Sequence, residues 1–183
     1  MYTRETFTKK FYPAMVNLTK GTGLFPQVML AQAILESSGK LGGTYYPGAS
    51  LLSREANNLF GIKASSGWNG DTFQITTGEY YNGQKANVTG TFRAYDTPED
   101  SLKDYISFLK SNPRYTAAGV FTATTPAQQA ERLKAAGYAT DPNYSTLLVS
   151  VMDSVKKYLP TIAEAGGGLV ALVLVAILIY KFA

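Results

Sequence analysis

Glu36 stands in a sequence setting that could support acid–base chemistry. It follows VMLAQAIL (Val28–Leu35), which carries one polar residue in eight and predicts a helix buried on nearly all sides. In the last turn of such a helix, the negative end of the dipole and the apolar neighbours both disfavour a charged carboxylate. The sequence therefore predicts a raised pKa for Glu36, which suits a general acid at neutral pH.

Glu79 is the second carboxylate of interest. It lies in ITTGEYYNG beside Asn82-Gly83, a dipeptide that favours a two-residue hairpin turn, so it is expected to project from a small β lobe. Glycoside hydrolysis commonly uses two carboxyl groups on opposite sides of the scissile bond. Glu36 and Glu79 together predict such a catalytic pair, although each acid alone could simply be a solvated side chain.

Composition excludes several other kinds of chemistry. The 183 residues include no Cys and no His, which rules out thiolate nucleophiles, imidazole bases and the usual zinc sites. We expect no metal and no organic cofactor. The net charge of +4 suits an anionic partner such as a cell wall or lipid head groups. It is too small to indicate nucleic acid, and we expect no nucleic-acid partner.

The elements that must position these carboxylates are mostly helical. Pro26 is predicted to begin the helix that carries Glu36, and Gly39 to stop it. Residues 44–70 read as a long loop, and Val88–Tyr95 as a strand. Four apolar residues at spacings of four, four and three predict an N-terminal helix: Phe7, Phe11, Met15 and Leu18.

Three later helices are predicted from their starts. Thr97-Pro98 and Thr125-Pro126 resemble capped helix starts, Asp141 reads as a third N-cap, and Pro160 ends the last helix. Residues 1–160 are therefore expected to form one α+β domain, mostly helical, with a small β-hairpin lobe.

The C-terminal segment has a different composition. After a predicted Gly-rich linker over residues 161–168, Leu169–Tyr180 contains twelve apolar residues without a charge. Residues 166–183 would span about 27 Å as a helix, close to the thickness of a bilayer core. The sequence predicts a transmembrane helix that anchors residues 169–183, with a buried core helix as the alternative. Because Met1–Glu5 includes no apolar stretch, we expect no secretory signal and a tail-anchored arrangement.

Five segments, in order, resemble the glucosaminidase family, glycoside hydrolase family 73, found in autolysins and flagellar peptidoglycan hydrolases. They are AQAILESSG (Ala31–Gly39), NNLFGIKA (Asn57–Ala64), ITTGEYYNG, FRAYDTPEDSLKDYISFL (Phe92–Leu109) and GYATDPNY (Gly137–Tyr144). The resemblance implies a lysozyme-like domain that cleaves the β-1,4 bond after N-acetylglucosamine in peptidoglycan glycan strands.

The resemblance also implies residue roles. Glu36 becomes the general acid and Glu79 the second carboxylate, while Asn58 and Phe60 of NNLFGIKA are expected to contact substrate. Trp68, Tyr138 and Tyr144 are loop aromatics of the kind on which sugar rings stack.

Several alternatives stay open at this stage. Glu79 could activate water, or the 2-acetamido group of the substrate could attack instead. A lytic transglycosylase needs one Glu, and a membrane-anchored wall-binding or structural protein needs neither acid. The expected location is a bacterial cell envelope or the internal membrane of a bacteriophage particle.

Overall fold

The structure, a computed structural model, describes residues 1–81 and 84–160, and for residues 77–81 and 84–88 it describes the backbone only. Seven α-helices lie in these ranges: α1 (Arg4–Thr19), α2 (Pro26–Ser37), α3 (Leu51–Ala56), α4 (Pro98–Ser111), α5 (Pro113–Ala117), α6 (Pro126–Ala135) and α7 (Tyr144–Val155). Four strands accompany them: β1 (Gly39–Leu41), β2 (Thr44–Tyr46), β3 (Thr72–Tyr81) and β4 (Gln84–Arg93). Two 3₁₀ turns cover Val120–Thr122 and Lys156–Tyr158.

Helix α2 lies at the centre of the domain, as its apolar sequence predicts. Val28, Leu30, Ala31 and Ala33 are fully buried, and α1, α6 and α7 pack against the helix. The predicted apolar face of α1 is also confirmed, since Phe7, Phe11 and Met15 are at most 1% exposed. A helix surrounded in this way places its last turn at a fixed point in the domain.

The role predicted for Gly39 is wrong. Helix α2 ends at Ser37, Ser38 takes an extended conformation, and Gly39 begins β1 instead of adopting a left-handed cap. A Cβ at Gly39 would overlap the carbonyl of Ala49, so glycine is needed there for close backbone approach.

The region expected to be a long loop contains regular structure. The short antiparallel hairpin β1–β2 lies in and just before this region, and α3 begins after Ser50, whose hydroxyl accepts a hydrogen bond from the backbone N–H of Ser53. The Gly- and Ser-rich composition hid both elements, because a Ser cap and a three-residue strand leave almost no periodic signal.

The predicted β lobe is the antiparallel pair β3–β4. Its register runs from Thr72 opposite Arg93 to Tyr81 opposite Gln84. The second strand thus begins before the predicted Val88 and ends before Tyr95. The Asn82-Gly83 turn itself lies outside the described residues.

The helices that follow the lobe begin largely where predicted. Thr97 and Thr125 cap α4 and α6 through their hydroxyls, which confirms both starts. Asp141 is not the N-cap of α7, because that position belongs to Asn143. The carboxylate of Asp141 instead accepts a hydrogen bond from the backbone N–H of Asn143 at 2.8 Å, forming a turn before the helix.

The α+β, mostly helical class is confirmed for the part of the chain that the structure describes. Within that part, no helix is long and apolar enough to cross a membrane. The predicted linker (161–168) and anchor (169–183) lie outside the described residues.

The turn between α1 and α2 offers a test of the packing that holds α2. Gly21 and Gly23 both have positive φ, 67° and 79°. A Cβ at Gly21 meets nothing within 4 Å, whereas one at Gly23 overlaps the backbone of Phe121. Gly21→Ala is expected to lower the free energy of unfolding by about 1 kcal/mol through backbone strain alone. Gly23→Ala is expected to lower it by about 3 kcal/mol or more, because the clash adds to the strain.

Urea unfolding of the two variants beside the wild type measures both effects. Equal losses would mean that the turn does not pack against Phe121 as described.

Candidate active site

Glu36 lies in the last turn of α2 and lines a cavity of about 290 Å³. Its side chain is only partly exposed, because α2 enters the site from the buried centre of the domain. The cavity brings together residues from α2, α4, α5, the segment after α3 and the segment before α7. They are Glu36, Phe60, Gly61, Ile62, Lys63, Phe108, Arg114, Tyr115 and Tyr138.

Burial determines the protonation behaviour of Glu36. Desolvation raises the pKa of this carboxyl, and a hydrogen bond from Tyr144 lowers it in part. The net direction is upward, as the sequence predicted. A carboxyl of this kind keeps a proton to higher pH than an exposed glutamate does, which suits general-acid chemistry.

Tyr144 holds one oxygen of Glu36 from the side of α7. Its hydroxyl donates to Glu36 Oε1 at 2.8 Å and accepts from Gln32 Nε2 at 3.0 Å. The side chain is 3% exposed and is not among the described residues that line the cavity. The structure therefore places Tyr144 against the acid, where it can orient the carboxyl, and not on the open wall expected of a sugar-stacking ring.

Tyr138 does reach the cavity. Its ring stacks on that of Tyr144, with centroids 5.9 Å apart and planes 18° apart, and its hydroxyl donates to the carbonyl of Phe60 at 3.1 Å. Burial raises the pKa of Tyr138 well above its ordinary value, so it stays neutral. A neutral, partly exposed ring beside Glu36 fits the sugar contact predicted for it.

Asn58 is placed inside the loop and not in the cavity. It is 1% exposed, and its amide nitrogen donates to the carbonyls of Ile62 and Arg93 at 3.0 and 2.8 Å. Its amide oxygen accepts from the backbone N–H groups of Phe60 and Ile62, both at 3.2 Å. With both ends engaged, Asn58 shapes the loop that borders Glu36, and its predicted substrate contact stays a prediction.

Phe60 and Trp68 are also held by the protein itself. The side chain of Phe60 is 2% exposed and stacks on Tyr105 at 4.2 Å, although the residue borders the cavity. Trp68 lies under the guanidinium of Arg93, 4.5 Å from its ring centre, and is not among the described lining residues. The side chains of Phe60 and Trp68 both pack against the protein, so neither contact supports the predicted binding of a sugar. That binding stays a prediction for both residues.

Glu79 can be placed only along the strand. Its backbone lies in β3 opposite Ala86, and its side chain is outside the described part of the structure. The role of Glu79 as the second carboxylate therefore stays a prediction.

Sequence reasoning missed several residues around Glu36. Arg114 and Tyr115 line the cavity without any motif to mark them, and Lys63 belongs to NNLFGIKA, although nothing in that segment distinguishes it as a cavity residue. Gln32 did carry a signal, because it is the one polar residue in Val28–Leu35 and a fully buried amide must find partners. Among the described side chains, those of residues 1–76 and 89–160, no group of acidic residues is placed to hold a metal ion.

Comparison with known families agrees with the geometry. Residues 12–157 match the glucosaminidase family, described as mannosyl-glycoprotein endo-beta-N-acetylglucosaminidase. The chain belongs to the glucosaminidase family. Peptidoglycan hydrolase FlgJ of Salmonella typhimurium is 41% identical over 139 residues, which cover 74% of this chain and 41% of that protein. The chain thus spans about two-fifths of the length of this curated relative.

Two solved structures show how the glucosaminidase fold is shared. The C-terminally truncated glycoside hydrolase domain of the Salmonella protein has 35% identity and a TM-score of 0.61, covering 84% of this chain and 98% of that one. The catalytic domain of the autolysin Auto from Listeria monocytogenes has 30% identity and a TM-score of 0.69, covering 85% and 87%. The predicted lysozyme-like glycoside hydrolase fold is thereby confirmed for the glucosaminidase domain.

The buried acid makes the stability of the domain depend on pH. Because the pKa of Glu36 is higher in the folded than in the unfolded state, the folded state binds more protons between the two values. Its contribution to the free energy of unfolding therefore falls as pH rises through that interval. Glu36→Gln is expected to raise the free energy of unfolding at pH 7 by about 1 kcal/mol, by removing a buried charge.

At pH 3, where the carboxyl is neutral in both states, the gain is expected to vanish. Urea unfolding at the two pH values measures it, with Glu131→Gln on the exposed face of α6 as the matched control. A gain that is the same at both pH values, or that also occurs in the control, would contradict the burial of a titrating Glu36.

Proposed function

We propose that this glucosaminidase domain hydrolyses the β-1,4 bond after N-acetylglucosamine in peptidoglycan glycan strands, with Glu36 as general acid. The observation that carries the proposal is a partly buried carboxyl, hydrogen-bonded by Tyr144, at the wall of a cavity of about 290 Å³, where burial raises its pKa. The relative from Salmonella, itself called a peptidoglycan hydrolase, supports the choice of substrate.

The geometry suggests which atoms act. Glu36 Oε1 accepts the hydrogen bond from Tyr144, which leaves Oε2 for the proton. Oε2 lies on the side of Gly61, a lining residue with φ of 65°, where a Cβ would come within 3.8 Å of that oxygen. From there the proton passes to the glycosidic oxygen of a bound glycan as the bond to the sugar breaks. The absence of a side chain at Gly61 keeps this face of the acid open.

The walls of the cavity suit a sugar chain that carries acidic peptides. Tyr138 offers an aromatic face, while Lys63 and Arg114 place positive charge at the same cavity. Arg114 is oriented by the ring of Tyr115, 4.7 Å away, and donates to its hydroxyl at 2.7 Å. These groups bind and orient the glycan beside Glu36 in this proposal.

Glu79 is proposed as the second carboxylate, from the end of the β lobe. It either activates the water that attacks the anomeric carbon or stabilises the charge that develops while the 2-acetamido group attacks. In the second case, water then opens the ring that the acetamido group has formed, and this completes hydrolysis. A lytic transglycosylase would instead release an anhydro product, and a wall-binding protein would release none.

The function is tested on purified peptidoglycan with mass spectrometry of the released fragments. The wild type is expected to release fragments with N-acetylglucosamine at the reducing end. Glu36→Gln is expected to lower kcat at least about 100-fold, the usual contribution of a general acid, while Glu131→Gln retains wild-type activity. Anhydro ends would establish the transglycosylase, and no cleavage by the wild type would leave a binding protein.

Glu79→Gln separates chemistry from binding in the same assay. We expect a strong loss of turnover with sedimentation on insoluble wall largely unchanged, because a second carboxylate acts on the transition state more than on bound substrate. Lost binding with normal turnover per bound enzyme would instead assign Glu79 to substrate positioning.

We further propose that residues 169–183 anchor the domain in a bilayer, in a bacterial envelope or in the internal membrane of a bacteriophage particle. The support is the sequence alone: twelve apolar residues in Leu169–Tyr180, followed by Lys181. Lys156, Lys157 and Tyr158 stand at the end of the described domain, where they could meet lipid head groups.

Deleting Gly166–Ala183 is expected to abolish flotation with lipid vesicles while leaving wall hydrolysis unchanged. The reason is that the buried cluster already includes helices up to Val155 and needs no further element. Aggregation or unfolding of the shortened chain would show that the segment packs as a core helix and would contradict the anchor.

A further inference from the structure

Three hydrogen bonds, two of them buried and the third partly buried, form a continuous chain that ends on Glu36. The Tyr105 hydroxyl donates to Gln32 Oε1, Gln32 Nε2 donates to the Tyr144 hydroxyl at 3.0 Å, and that hydroxyl donates to Glu36 Oε1 at 2.8 Å. Gln32, Tyr105 and Tyr144 are 0, 1 and 3% exposed. They come from α2, α4 and α7, so the chain joins three helices behind the cavity.

The direction of this chain is determined by its far end. Tyr105 is almost fully buried, and the hydrogen-bond partner of its hydroxyl among the described residues is Gln32. A buried phenol proton without an acceptor is costly, so Tyr105 must donate and the oxygen of the Gln32 amide must face it. The amide nitrogen then faces Tyr144, whose hydroxyl has to accept from it. The one proton of Tyr144 is left to point at Glu36.

We propose that Tyr105 and Gln32 are positioning residues, which direct the catalytic proton of Glu36 onto Oε2, the oxygen beside Gly61 in the cavity. Oε1 accepts the hydrogen bond from the Tyr144 hydroxyl. A proton bound to Oε1 cannot point along that same direction, because the proton of Tyr144 already occupies it. The catalytic consequence rests on the proposed function of Glu36, whereas the direction of the chain does not.

The reverse arrangement shows what Tyr105 contributes. With the amide of Gln32 turned over, its oxygen would accept from Tyr144, and a protonated Glu36 would donate from Oε1 to Tyr144. The proton would then point away from the cavity. In the wild type this arrangement leaves the Tyr105 proton without an acceptor. Removing that hydroxyl makes the reverse chain available, and this chain favours neutral Glu36.

Other ionisable groups around Glu36 do not explain such an effect. Tyr138 precedes α7, Tyr105 lies on α4, Tyr115 and Arg114 on α5, and Lys63 on the loop that borders the cavity. Burial raises the pKa of Tyr105, Tyr115, Tyr138 and Tyr144, so these side chains stay neutral near pH 7. Lys63 and Arg114 are the same in every variant compared below.

The test compares Tyr105→Phe, Tyr144→Phe and the double variant in the full chain, with Tyr12→Phe as the control. Tyr12 is a buried tyrosine of α1 that lies outside the hydrogen-bond chain. Tyr105→Phe retains the ring that stacks on Phe60, so the core packing is kept. Carbon NMR follows the titration of the Glu36 carboxyl, identified by its loss in Glu36→Gln. The pH profiles of kcat and KM on peptidoglycan are measured in parallel.

We expect Tyr105→Phe to raise the pKa of Glu36, and with it the alkaline limb of kcat, by about half a pH unit, which corresponds to part of one hydrogen bond. The same variant is expected to lower kcat about fivefold with KM unchanged. Tyr144→Phe is expected to shift the titration further in the same direction. The double variant is expected to match Tyr144→Phe alone, because Tyr105 acts only through Tyr144.

The proposal is overturned if Tyr105→Phe titrates and turns over like Tyr12→Phe, or if the two effects add in the double variant. Proton spectra of the wild type give a second measure, independent of any variant: the hydroxyl protons of Tyr105 and Tyr144 are expected to exchange slowly, and rapid exchange of both would contradict the chain. If the wild type cleaves no peptidoglycan while the Glu36 titration still shifts in Tyr105→Phe, the proposed function fails and the chain stands.

Discussion

The organisation of this domain depends on a carboxyl group buried at the end of an apolar helix. Helix α2 has only one polar side chain between Val28 and Leu35, and three other helices pack against α2. Glu36 therefore lies in a poorly hydrated part of the domain. A charged carboxylate is unfavourable at such a place unless it is hydrogen-bonded. Tyr144, 108 positions along the chain, supplies that hydrogen bond. One contact therefore joins the centre of the domain to its last helix and tunes the acid at the same time.

The other wall of the site is held from the β lobe. Asn58 links the loop that borders Glu36 to the carbonyl of Arg93 at the end of β4. Arg93 in turn forms a partly buried ion pair with Asp104 of α4 at 2.8 Å, and its guanidinium covers Trp68. Helical core, loop and lobe thus meet beside the cavity. Strand β3, which carries Glu79, starts at this anchored end opposite Arg93, so the Asn57–Ala64 loop connects the β lobe with the surroundings of Glu36.

The sequence was most informative where one residue type allows few structures. The apolar run before Glu36, the Thr-Pro helix starts and the Asn82-Gly83 dipeptide each identify an element, because helix caps, turn residues and periodic burial leave strong local signals. Asp141 and Gly39 differ from their predicted roles, because the surrounding structure decides between two local roles that the same residue type can fill. Asn58, Phe60 and Trp68 show the same limit at the site, since motif membership marks them but only packing reveals that their side chains contact the protein. The roles of Gln32 and Tyr105 cannot be predicted from separate segments, because they depend on a hydrogen bond between residues 73 positions apart.

The central claim is that the raised pKa of Glu36 is the pKa of the catalytic acid. The most direct measurement compares two titrations of the wild-type chain: the carboxyl carbon of Glu36 observed by NMR, and the alkaline limb of kcat/KM for soluble glycan fragments. Both report the free enzyme. We expect the two midpoints to coincide and to lie above the range of an exposed glutamate. A Glu36 that titrates like an exposed glutamate, or an activity that falls at a pH far from its midpoint, would contradict it.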